Sequence, residues 1–275
     1  MPVKNYPISE PSLPPEWKLR SRRQQLLIWL GWLLGCSLFL ICWKVISDKT
    51  LWIFVVDAPK QGSDLLGRML PPEWSIASQL LLPLWDTINI ATLGTLLGIV
   101  LAFPFAFLAA KNTTPHPLFR SLALMVIVSS RSINSLIWAL LLVTILGPGL
   151  LAGIIAIALR SIGFVGKLLY EAIEEIHPVP VEAITATGAS RLQVMSYAVL
   201  PQVMPAFAGI SIYRWDINIR ESTVLGLVGA GGLGLQLNAA INTLAWNQVS
   251  VIFIMIFATV LVSEWISAKV RKAVT

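Results

Sequence analysis

The strongest constraint on how this chain can fold is a series of apolar runs long enough to cross a bilayer. Leu26 to Trp43 contains no charge, and with Ile46 as its limit it approaches the roughly 20 residues a helix needs to span hydrocarbon. Inside lipid every backbone N–H and C=O must be satisfied within the segment, so such a run folds as a helix. Further runs cover about Trp85–Ala110, Leu118–Leu146 (carrying Arg131), Leu150–Leu169, a stretch from Val203 through Arg214, Asp216, Arg220 and Glu221, and Val249–Ile266. No strand pattern or internal repeat accompanies them. The expected fold class is an all-α membrane protein with about six transmembrane helices.

Composition excludes a string of soluble modules. Charged residues make up 12% of the 275, hydrophobic residues 56%, and the mean hydropathy is +0.76. A soluble domain carries about 25% charge. The net charge of +6 invites a nucleic-acid reading, but the basic residues flank apolar runs, where they act as topology signals. Six spans put both termini on one side. Lys18, Arg20, Arg22 and Arg23, then Lys111 and Arg120, then Lys269, Arg271 and Lys272 all face the cytoplasm in that arrangement. A cleaved signal peptide is the rival for the first run, but the bulky LFLICWKVI that ends it offers no small-residue cleavage site. Residues 47–83, with mixed charges and Pro71-Pro72, read as an extracytoplasmic loop, with short interfacial helices around Leu51–Val56 and Leu65–Leu70. Cys36 and Cys42 form no disulfide framework, and His116 and His177 have no ligand-spaced partner, so no metal is expected.

A polar insert separates the fourth and fifth runs. Within it, Glu182 to Pro201 reads EAITATGASRLQVMSYAVLP. Ala183, Ala186, Ala189, Leu192 and Met195 recur at three-residue spacing, which describes short amphipathic helices broken near Gly188. Periodicity alone reads this as a connector on the membrane surface.

The second informative stretch is Arg214 to Leu235. Charges inside a span are costly and mark a pathway, a partner or a relay. Asp216 and Arg220 are four apart, and Arg214 and Glu221 seven apart, so each pair shares one helix face. Spacing leaves open whether these are ion pairs that fix packing or whether the arginines meet a solute. Gly229, Gly231, Gly232 and Gly234 imitate a dinucleotide fingerprint, but no strand precedes them and no acidic residue follows at the ribose distance. They read instead as a closely packed reversal near the outer face. No Walker A sequence occurs, so the chain is not expected to be an enzyme, and any ATP is hydrolysed by another polypeptide.

Glu182-Ala183, Gly188 and Leu200-Pro201 at this spacing resemble the cytoplasmic coupling motif of ABC importer permeases, with Ile184 and Ala198 as departures. Arg214 to Gly234 is similar to the corresponding stretch of phosphonate-uptake permeases, as is Arg131-Ser132-Ile133 followed by Leu136 to Ala139. That family often has proline where Asn134 stands, so the expected local helix break loses its usual cause. The resemblance covers about residues 85–270 and implies a type I ABC importer permease. Its division would be 1–24 cytoplasmic tail, 25–46 first anchor, 47–83 outer loop, 84–270 core with a coupling loop over about 170–204, and 271–275 cytoplasmic tail.

The resemblance further implies an inner-membrane homodimer with two ATP-binding subunits that hold the ATP and Mg, and a periplasmic or lipid-anchored binding protein. The cargo would be a phosphonate or a related oxyanion such as phosphite, moved by alternating access. A positive path lowers an anion's desolvation cost. Arg131, Arg160, Arg214 and Arg220 are its candidates, with Asn134, Asn218, Ser222 and Thr223 as hydrogen-bonding neighbours. Permeases for methionine, phosphate or other oxyanions are the alternatives. A proton-coupled carrier using Asp216 and Glu221 is the rival outside the class; it would not need the coupling motif.

Overall fold

The computed structural model describes residues 21–274, and no strand occurs among them. The chain divides into two units, ending and beginning at Ser63 and Asp64. In the first, α1 (Arg22–Lys49) starts on a capping box in which Ser21 and Gln24 satisfy each other's backbone N–H groups. The cap and the terminal Lys49 extend it beyond the expected 25–46, and none of its residues is buried. Most of the expected cytoplasmic tail, with Lys18 and Arg20, lies outside the described residues.

The outer loop differs from expectation. In place of two short helices, α2 (Trp52–Met69) runs unbroken through Pro59, and the unit boundary falls inside it. Asp57, Lys60, Gln61, Asp64 and Arg68 fall on one narrow stripe at helical period, so a single amphipathic helix satisfies the whole pattern. The chain leaves helix at Thr50-Leu51 and again around Pro71-Pro72, and α3 (Ala77–Ala109) starts well before the expected Trp85. At about 1.5 Å per residue α3 is roughly 50 Å long and overshoots a bilayer core.

The spine of the second unit is α3 against α6 (Leu150–Glu174). Gly94 and Gly98 sit four apart on α3; a Cβ on either would lie 2.8 Å from Ile157 Cβ or 2.5 Å from Ser161 Cβ. Ala102 and Ala106 continue the stripe and are fully buried. Lipid supplies no hydrophobic drive between helices, so close backbone approach through small residues takes its place.

The third expected span is two helices, α4 (Pro117–Ser132) and α5 (Ser135–Leu146), bent by 88° at Ile133-Asn134. No proline is required. Asn134 Oδ1 accepts the Leu136 N–H at 3.1 Å and so starts a new helix, the role an asparagine N-cap performs. Among the described residues, five helices are long and apolar enough to cross a membrane, or six if the bent pair counts as one.

Beyond α6 come α7 (Pro178–Ala186), the short α8 (Arg191–Val194), a π-helical turn at Met195–Val199, and α9 (Leu200–Gly226). The expected break at Gly188 is present, with φ at +80°. The reversal after α9 contains a helix that periodicity missed, α10 (Gly232–Asn242), followed by α11 (Trp246–Val274). The latter takes in residues 271–274 of the expected cytoplasmic tail, because Arg271 and Lys272 favour the negative end of a helix, and Thr275 lies outside the described residues.

Candidate functional site

Four helices bring their polar groups together inside the apolar bundle. On α9, Arg214 is 1% exposed; its Nε donates to Ser161 Oγ on α6 at 3.0 Å, and its Nη2 lies 3.4 Å from Glu221 Oε2. Its guanidinium also stacks over Phe164, 5.2 Å from the ring centroid. Asn218 donates to Thr95 Oγ1 on α3 at 2.7 Å and to Ser161 Oγ at 3.1 Å. Asp216 pairs with Arg220 and accepts from Ser263 Oγ on α11 at 2.9 Å.

Glu221 has a second partner that spacing did not reveal. Arg160 Nε on α6 lies 3.3 Å from Glu221 Oε1, and Arg160 Nη1 donates to the Ile133 carbonyl at the α4–α5 break. The break is pinned again one turn earlier. The Ser130 hydroxyl donates to the Leu159 carbonyl and accepts the Gly163 N–H at 2.9 Å, entering the ladder of α6. Gly163 makes this possible, since a Cβ there would meet the Ile127 carbonyl at 2.6 Å.

The candidate path residues therefore separate into two sets. Arg214, Asn218, Ser222 and Thr223 are buried, and the Ser222 and Thr223 hydroxyls bond carbonyls of their own helix. Arg214 and Asn218 thus tie α9 to α6 and α3, while Ser222 and Thr223 bond only within α9. Arg131, Asn134, Arg160 and Arg220 keep exposed side-chain surface. Arg131 sits in the last turn of α4 and makes no ion pair among the described residues. Three guanidinium groups, those of Arg160, Arg214 and Arg220, thus share the carboxylates of Asp216 and Glu221, and Arg131 adds a further positive charge. Ser161, Thr95, Ser263 and Ser130 are the participants sequence reasoning missed. Each is one hydroxyl in an apolar helix, and only the Gly94–Gly98 spacing around Thr95 hinted at an interface.

At the end of the bundle where α6 meets α9, the polar insert forms a folded loop. Glu182, Ala183 and Gly188 are exposed, as are Val179 at 70%, Leu192 at 79% and Tyr197 at 71%. Leu200 and Pro201 lie elsewhere, at the root of α9. Pro201 cannot donate to the Tyr197 carbonyl, and the Leu200 N–H bonds Met195 across a wider π turn.

At the opposite end the glycine run is a packing device. A Cβ on Gly234 would lie 2.0 Å from the Thr223 carbonyl and 2.8 Å from Gly226 Cα, so α9 and α10 cross backbone to backbone. The Leu233 N–H donates to Thr87 Oγ1 at 2.9 Å, and the Gly149 N–H to the Gly229 carbonyl at 3.0 Å, tying the run to α3 and to the start of α6. Gly229 and Gly231 have φ of +94° and +88°. A helix precedes the run, which removes the dinucleotide reading.

A helical bundle with charged residues buried among apolar helices and a folded loop at one end has the architecture of a multi-pass membrane protein. The chain belongs to the family of binding-protein-dependent transport system inner membrane components, whose pattern matches residues 67–274. It is 39% identical over 234 residues to the phosphite transport system permease protein PtxC of Stutzerimonas stutzeri, covering 85% of this chain and 84% of that protein. It is 40% identical over 223 residues to the phosphate-import permease protein PhnE of Mycolicibacterium smegmatis, covering 80% of this chain and 42% of that one. Among solved structures, a chain of the MetNI methionine ABC transporter in inward-facing form superposes with TM-score 0.63 at 20% identity, over 74% of this chain and 99% of that one. The fold is that of type I ABC importer permeases.

Proposed function

We propose that this chain is the membrane subunit of an ATP-driven importer that moves phosphite or a phosphonate inward by alternating access. The observation that carries the cargo class is the unpaired Arg131 at a broken helix, beside a network with more guanidinium than carboxylate. Asn134 and the N-terminus of α5 adjoin it, and the positive end of a half-helix at membrane depth favours an anion. The phosphite permease relative supports the same chemistry over most of both chains. Asp216 and Glu221 are each bonded to arginine, which gives both carboxylates a place in the packing of the bundle.

A second copy of the chain completes the pore, two ATPase subunits bind ATP and Mg, and a binding protein delivers the anion. Both termini face the cytoplasm in this reading. The exposed Glu182 carboxylate and the apolar Val179, Leu192 and Tyr197 suit the loop to contact with another protein. The test is reconstitution with its ATPase and binding protein in proteoliposomes. ATP-dependent uptake of phosphite or methylphosphonate, competed by each other and not by methionine, is expected. A complex that transports another solute and neither of these overturns the cargo class.

A further inference from the structure

We propose that Gln202 is the positioning residue that locks the neck of the coupling loop and passes the loop's displacement to α9. The inference rests on the reading that the loop engages an ATPase. Gln202 stands in the first turn of α9, partly buried. Its Oε1 accepts the His177 N–H at 3.0 Å, and its Nε2 donates to the Ala198 carbonyl at 2.8 Å and reaches the His177 carbonyl at 3.4 Å. His177 immediately precedes α7 and Ala198 lies in the π turn, so one side chain joins both ends of the loop.

The rest of the loop has no comparable tie. Every side-chain hydrogen bond of residues 182–193 is local, within Thr185–Val181, Thr187–Ile184 and Ser190–Gln193. Beneath it, a groove of about 350 Å³ separates Thr185, Ala189 and Arg191 from Asn112 to Pro115. A push on Glu182 or Leu192 is therefore borne at the root, where Val181, Met195 and Val199 pack against Ile173 and Val203. Packing resists compression but is non-directional. The π turn, displaced from the α ladder by Pro201, is the compliant link between loop and α9. Gln202 bridges across that link and makes the two ends move together.

Two variants of the full complex test this. Gln202→Met keeps the length of the side chain and removes every bond; Gln202→Glu keeps an acceptor for His177 and removes the donor to Ala198. With co-purification of the ATPase at the wild-type ratio, phosphite taken up per ATP hydrolysed should fall roughly fivefold or more in Gln202→Met, the factor for one net hydrogen bond, and less in Gln202→Glu. An unchanged ratio in Gln202→Met overturns the proposal. Amide hydrogen exchange separates this from failure of the cargo reading. Exchange at His177 and residues 195–199 should quicken in Gln202→Met with α3 and α6 unaltered, whatever solute is carried; unchanged protection at His177 overturns the neck itself.

Discussion

At Gly234 one hydrogen atom occupies the only space left between two backbones. The Thr223 carbonyl would lie 2.0 Å from any Cβ, and both atoms belong to helices that cannot yield separately. Overpacking of this kind costs about 1–3 kcal/mol and sometimes more. Gly234→Ala should lower the thermal unfolding midpoint of the detergent-purified protein by several degrees; an unaltered midpoint would show that α9 and α10 can separate freely. Gly188 behaves oppositely, since nothing lies within 4 Å of its Cβ position and only its φ of +80° restricts the residue. Residue-scale contacts were legible where they lie within one helix. Asp216 with Arg220 and Arg214 with Glu221 follow from 3.6-residue periodicity. Arg160 with Glu221 does not, because no periodicity links residues on different helices.

Among the elements, the polar loop between α6 and α9 and the α4–α5 pair show what helix signals can and cannot convey. The loop's broken amphipathic pattern was readable because a turn residue, Gly188, and two capping positions lie within it. The bend at Asn134 was not, since asparagine is an acceptable N-cap and an acceptable interior residue, and the neighbouring helix decides between them. Here Ser130 and Arg160 bind the break to α6 and settle the choice. Among the described residues the Glu182 carboxylate makes no hydrogen bond or ion pair, so Glu182→Lys should leave helicity and unfolding temperature intact while abolishing stimulation of ATP hydrolysis by loaded binding protein. Stimulation at the wild-type level in that variant would remove Glu182 from the interface.

At the scale of the whole molecule, the arginines and carboxylates inside the bundle do not balance. Among the described residues Arg131 makes no ion pair, while Arg214 is consumed by Glu221, Ser161 and Phe164. Arg131→Ala should lower phosphite uptake at least about tenfold at normal membrane levels, the loss expected for one charged hydrogen bond of about 1.5–3 kcal/mol. Arg131→Lys should restore part of it. Uptake equal to wild type in Arg131→Ala would return the residue to a packing role at the end of α4.

The apolar runs by themselves determined that the chain is helical and crosses a membrane, because lipid leaves a backbone no other way to satisfy its polar groups. The linear pattern also located the polar loop broken at Gly188, the glycine reversal and the in-helix charge pairs, all governed by local spacing. Only the tertiary structure decided which arginines remain exposed and where the third span breaks. Those outcomes depend on how closely α3, α4, α6 and α9 approach through Gly94, Gly98 and Gly163, a property of pairs of helices that no single helix carries.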